Sequence, residues 1–76
     1  MTVELLSKPG CVACTATKRS FESKGIEYTV RDVTEDPEAF QLVKDLGYTG
    51  MPVVVVDGGA DHWSGLRLDK IDSLVA

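Results

Sequence analysis

Residues 7–14, SKPGCVAC, hold two cysteines three positions apart, behind a short apolar run and ahead of a stretch that reads as helix. Upstream, Val3, Leu5 and Leu6, with polar Thr2, Glu4 and Ser7 around them, read as a short strand that Pro9 and Gly10 bring to an end. Downstream, CTATKRSFESK (14–24) has no Gly or Pro, and Ala16 and Phe21 fall on one stripe with Cys14 and Thr17. Gly25 stops that helix. The pair therefore lies in a loop that leaves a strand at its carboxyl end and enters a helix, which is where open α/β sheets usually carry their chemistry.

The rest of the chain continues the same alternation. IEYTVRDV (26–33) sets Ile26, Tyr28, Val30 and Asp32 against Glu27, Thr29, Arg31 and Val33, the alternation of a second strand. TEDPEAFQLVKDLG (34–47) opens with acids and Pro37, carries Phe40, Val43 and Leu46 on one face and ends at Gly47, a second helix. PVVVVDGG (52–59) puts four valines in a row before a turn, the pattern of a strand covered on both faces. Gly58 and Gly59 make the hairpin turn to a fourth strand in ADHWS (60–64). Leu68, Ile71, Leu74 and Val75 recur at the spacing of a terminal helix. The order βαβαββα makes the first two strands parallel through a right-handed crossover, with helices for both faces of the sheet, a three-layer α/β domain.

Composition excludes several classes. At 76 residues the chain is read as one domain, residues 1–76. A chain of this size buries only about 60% of the surface its unfolded form exposes. Apolar residues make up 43% and charged residues 26%, ordinary values for a globular protein. Eight Lys and Arg against twelve Asp and Glu leave a net charge of -4 spread along the sequence, against nucleic acid as a partner. MTVELLSK offers no basic region followed by an export-length apolar stretch, and no run approaches the roughly 20 apolar residues that span a membrane. The expected location is the cytosol. There thiols are kept reduced, so an isolated cysteine pair is redox-active or metal-binding rather than a structural staple.

Positions three apart in a helical turn lie about 5–6 Å from each other, within the Cα range of about 4.4–6.8 Å that a disulfide tolerates. Cys11 stands at the helix entrance, facing unpaired N–H groups and the positive end of the helix dipole, with Lys8 nearby, all favouring thiolate. It is read as the nucleophile, and Cys14, a turn deeper, as the thiol that resolves the mixed disulfide. Zinc would need four ligands, and the remaining donor, His62, is single and distant in sequence, so no metal site is expected.

Later motifs each admit two readings. Pro52 in GMPV (50–53) either simply opens a strand or forms a cis bond with Met51 that leaves the Met51 backbone free to pair with an extended substrate. Trp63 is either core or the wall of a docking site, its polar neighbours His62, Ser64 and Gly65 favouring the wall. Arg67 and Asp69 form a solvated pair at the last helix or organise the loop before it. His62 reads as an exposed residue and a poor general base.

KPGCVAC, GMPVVVVDG and DHWSGLRLDKI together resemble the NrdH-redoxins, glutaredoxin-like members of the thioredoxin fold, over the whole length of the chain. The third resembles a W-S-G-F-R-P-D signature, with Leu66 and Leu68 where Phe and Pro are usual. Leu6 precedes SKP where many relatives carry Tyr.

The resemblance implies a glutaredoxin-type sandwich with a four-stranded mixed sheet in the order 2-1-3-4 and a cis bond at Pro52. It also implies electron donation to the large subunit of class Ib ribonucleotide reductase and re-reduction by thioredoxin reductase. Such a protein needs no cofactor of its own, because its electrons come from NADPH through the partner flavoprotein. The site residues expected on this basis are catalytic Cys11 and Cys14, supporting Lys8, Pro9 and Pro52, and partner-binding Val12, Ala13, Met51, Trp63, Ser64, Gly65, Arg67 and Asp69. SGLRLD (64–69) lacks the paired glycines through which related glutaredoxins hold glutathione, and the bulk of Trp63 stands beside it, so glutathione use is expected to be weak. A glutathione-dependent glutaredoxin and a metal or iron-sulfur module stand as the alternatives, and a monomer is expected.

Overall fold

The computed structural model describes residues 1–75. Its elements run β1 (Val3–Ser7), α1 (Val12–Ser23), β2 (Thr29–Asp32), α2 (Pro37–Asp45), β3 (Val53–Val56), β4 (Asp61–Ser64) and α3 (Leu68–Ser73). The four strands form one mixed sheet in the order β2-β1-β3-β4, with β1 parallel to β2 and antiparallel to β3. This is the thioredoxin-like architecture expected from the sequence.

The valine run explains the layering. β3 is buried along its whole length, and its side chains alternate between two cores. Val54 and Val56 join Val3, Leu5, Phe21, Trp63 and Ile71 on one face of the sheet, while Val53 and Val55 join Leu6, Ala39 and Val43 on the other. Helices α1 and α3 thus cover one face and α2 the other. Each fully buried Val, Leu or Phe contributes about 1.5–3 kcal/mol, so the central strands β1 and β3 carry much of the stability.

Both long helices end in the same way. Gly25 (φ 70°) lets the Ile26 N–H reach the Phe21 carbonyl at 2.9 Å, and Gly47 (φ 84°) lets the Tyr48 N–H reach the Val43 carbonyl at 3.1 Å. An L side chain rarely adopts either backbone conformation, and the resulting Schellman turns pin Ile26 against Phe21 and Tyr48 against Val43. The N-terminus of α2 is fixed by Asp36, whose carboxylate accepts from the N–H groups of Glu38 and Ala39, each at 3.1 Å. The β3–β4 hairpin turns through Asp57 and Gly58, both at positive φ, and the Gly59 N–H closes it on the Val56 carbonyl.

Three local expectations are corrected. Strand β2 covers only Thr29–Asp32, because Ile26 belongs to the helix-ending turn and Val30, on this edge strand, is 45% exposed. Helix α1 begins at Val12 rather than Cys14. Phe40 is half exposed; α2 turns Ala39 and Val43 into the core instead, with Leu42 and Leu46 partly buried beside them.

Candidate redox site

Cys11 is the N-cap of α1. Its backbone is extended (φ -89°, ψ 107°), and its Sγ accepts the Cys14 N–H at 3.1 Å, satisfying one of the donors that every helix start leaves open. Cys14, Thr17 and Phe21 form the buried stripe of the helix, so packing draws Cys14 inward to 2% exposure. Cys11, outside that stripe, stays half-buried. The buried Thr17 hydroxyl is satisfied by donating to the Ala13 carbonyl at 2.8 Å. A disulfide joins the two sulfurs across a Cα separation of 5.2 Å, inside the range that such a bond accepts. One accessible and one sheltered sulfur at this spacing can exchange a disulfide with a partner and then close on each other.

Sheet register collects the remaining loops at the same end of the molecule. Leu6 pairs with Val53 and Val53 with Ser64, so Pro52 lies at the carboxyl end of β1, between Ser7 on one side and Gly65 on the other. The Met51–Pro52 bond is cis. The Gly65 N–H donates to the Pro52 carbonyl at 2.9 Å and the Ser64 hydroxyl to the Gly50 carbonyl at 3.1 Å, which ties the loop after β4 to the loop before β3. Among the described residues nothing hydrogen-bonds to the Met51 backbone. Beside Met51 an apolar groove of about 580 Å³ is lined by Lys8, Val33, Phe40, Val43, Tyr48 and others. The Schellman turn after α2 delivers Tyr48 to its rim, where the hydroxyl meets His62 Nδ1 at 2.7 Å.

Several charges beyond the cysteine concavity are organised in pairs. Arg67 grips Asp69 through two bonds of 3.1 and 2.9 Å; this pairing raises the guanidinium pKa and lowers the carboxylate's. Arg31 donates to Asp36 at 2.9 Å, and that bond, followed by the Ala39 N–H, holds the Asp36 carboxyl below its usual range. Lys70 lowers Asp61 in the same way while lying over the Trp63 ring.

The residues singled out from sequence divide into three groups. Lys8, Pro9, Val12, Cys11 and Cys14 line one concavity, with Val12 84% exposed and Ala13 half-buried on the helix behind it. Met51, Pro52, Ser64 and Gly65 form the linked loops described above, and Arg67 with Asp69 follows at the start of α3. Trp63 is the exception. It is 3% exposed, packed with Val54, Phe21 and Ile71, so it supports the core and presents no docking wall; its role in excluding glutathione by bulk falls with it. His62 is also engaged rather than free, through Tyr48. Lys18 lines the cysteine concavity and Tyr48 the apolar groove, and neither is singled out by the sequence reading. Lys18 could have been found by its spacing, one helical turn after Cys14 and two after Cys11. Among the described residues no group of three or more His, Cys, Asp or Glu is placed to hold a metal, and no helix is long and apolar enough to cross a membrane.

Residues 3–60 match the glutaredoxin family. The glutaredoxin-like protein NrdH of Escherichia coli K12 is 35% identical over 74 residues, covering 97% of this chain and 89% of that protein. The Gene 56 protein of Mycobacterium phage D29 is 32% identical over 77 residues, covering 96% and 81%. The solved structure of the E. coli NrdH-redoxin superposes with a TM-score of 0.90 over 97% of this chain and 95% of the other, at 35% identity. With the cysteine pair at the entrance of α1 and a sheet in the order 2-1-3-4, the chain belongs to the glutaredoxin family, among the NrdH-like thiol-disulfide oxidoreductases.

Proposed function

We propose that the chain carries electrons to the large subunit of a class Ib ribonucleotide reductase in the cytosol, and that a thioredoxin reductase drawing on NADPH restores its dithiol. The Cys11 thiolate attacks one sulfur of the partner's disulfide, forming a mixed disulfide and releasing the partner's other sulfur as a thiolate, which takes a proton. Cys14 then gives up its proton and attacks Cys11 Sγ, expelling the second partner thiolate. That thiolate is protonated as well; one of the two protons comes from Cys14 and the other from solvent, where Cys11 lost its own on ionising. The partner has thus gained two electrons and two protons, and the Cys11–Cys14 disulfide remains for the flavoprotein to reduce. The flavin and nicotinamide belong to that reductase, and this chain supplies only its two sulfurs.

The observation that carries this reading is the asymmetry of the pair, a half-buried Cys11 capping α1 and a Cys14 at 2% exposure. Lys8 adds positive charge, while Pro9 and Pro52 shape the approach. Val12, Ala13, Met51, Ser64, Gly65, Arg67 and Asp69 make the docking rim. Weak glutathione use follows from SGLRLD, which lacks paired glycines. The E. coli relative is described as having a thioredoxin-like activity profile, which agrees with this direction of electron flow.

NADPH oxidation coupled to either reductase system decides the matter. With thioredoxin reductase and a disulfide substrate the chain should turn over, and with glutathione plus glutathione reductase it should stall. The opposite pattern would make it a glutathione-dependent glutaredoxin and overturn the proposal.

A further inference from the structure

The distribution of ion pairs is uneven. Of eight Lys and Arg, four hold carboxylates: Lys24 with Asp72, Arg31 with Glu4, Asp36 and Glu38, Arg67 with Asp69, and Lys70 with Asp61. Among the described residues Lys8, Lys18, Arg19 and Lys44 have no such partner. Two of these four, Lys8 and Lys18, stand at the redox pair. Lys8 and Lys18 line a concavity of about 350 Å³ together with Cys11, Cys14 and Thr15, and Lys8 and Lys44 line the adjoining apolar groove. No carboxylate lines either one. The first turn of α1 is also free of acid, although a carboxylate there would be favourable to the helix.

The sign of charge at the thiols is thus opposite to that of the chain, which carries twelve acids against eight bases. Unpaired cations on a shared rim repel one another and add nothing to stability. An arriving carboxylate relieves that repulsion, and the acidic remainder of the surface disfavours its approach from any other side.

We propose that this cleft selects disulfides flanked by acidic residues, with Lys18 and Lys8 pairing the flanking carboxylates as the partner's sulfur meets Cys11 Sγ. The preference rests on the exchange chemistry proposed above and specifies the substrate class of that site. Lys18 acts here as a positioning residue and takes no part in the sulfur chemistry.

Three synthetic peptides sharing one Cys-x-x-Cys disulfide and flanked by Glu, Gln or Lys pairs test this with the reduced full chain. At about 10 mM salt, where the Debye length is about 30 Å, kcat/KM for the Glu peptide should exceed that for the Gln peptide by about tenfold, and the Lys peptide should be the slowest. At about 1 M salt, with a Debye length of about 3 Å, the three should converge to within about twofold. Lys18→Gln should cut the Glu-to-Gln ratio by about threefold and Lys18→Arg should retain it. Equal rates for all three peptides at low salt, or a ratio unmoved by Lys18→Gln, would overturn the preference and leave the exchange chemistry standing. No reduction of the neutral peptide at either salt concentration would overturn both.

Discussion

Replacing Cys14 by Ser should turn a fleeting intermediate into a stable product. In the wild-type chain the mixed disulfide on Cys11 is resolved from within, by a sulfur whose Cα lies 5.2 Å away on the next helical turn. Oriented intramolecular reactions reach effective molarities of about 10⁵ M and more; even an effective molarity of about 1 M makes Cys14 about a thousandfold faster than an external thiol at about 1 mM. Cys14→Ser removes that route, so the adduct with a disulfide peptide should live about a thousandfold longer and be read directly by mass spectrometry without reductant. Cys11→Ser should trap almost nothing, since its remaining sulfur is 2% exposed and packed on the buried stripe with Thr17 and Phe21. Equal adduct yields from the two variants would refute the assignment of roles.

Stability should fall in acid. The Asp36, Asp61 and Asp69 carboxyls all lie below their usual range in the folded chain because of Arg31, Lys70 and Arg67 respectively. Their contribution is therefore complete above the ordinary Asp pKa of about 3.9 and is lost as pH drops through the depressed native values. Urea midpoints followed from neutral pH downward should decline in that window, and Arg31→Gln should flatten the decline; an unchanged profile would contradict the pairing. Trp63 should emit as a buried indole and resist iodide quenching. Trp63→Ala should cost about 3–5 kcal/mol in urea unfolding. Trp63→Phe should cost less, since it keeps most of the packing and removes an N–H that has no hydrogen-bond partner. Rapid quenching, or an Ala variant as stable as wild type, would return Trp63 to the surface.

The features legible in the sequence were those whose signal is local. Four consecutive valines can only be covered on both faces, Asp36-Pro37 marks a helix start, Gly47 marks its end, and a C-x-x-C behind a strand places the chemistry. What the sequence concealed depended on neighbours far along the chain. Trp63 has polar residues on either side, yet its register opposite Val54 turns it into the core formed by Leu5, Phe21 and Ile71. Val30 obeys strand alternation, but β2 lies at the sheet's edge, so it is covered only in part. Phe40 sits one position from Ala39, a rotation of about 100° on a 3.6-residue helix, enough to carry it from the core to the rim of a groove. The early start of α1 was hidden because its cap is a sulfur, which is absent from the usual Ser, Thr, Asp and Asn signals.

Central to the account is the ionisation of Cys11 at the entrance of α1. Alkylation of the fully reduced chain by iodoacetamide, followed against pH with the modified residue assigned by mass spectrometry, measures it most directly. The account predicts that Cys11 reacts first, with a rate inflection well below the value of about 8.5 of an unperturbed thiol, while Cys14 lags behind. An inflection near about 8.5, with both sulfurs modified at the same rate, would contradict it.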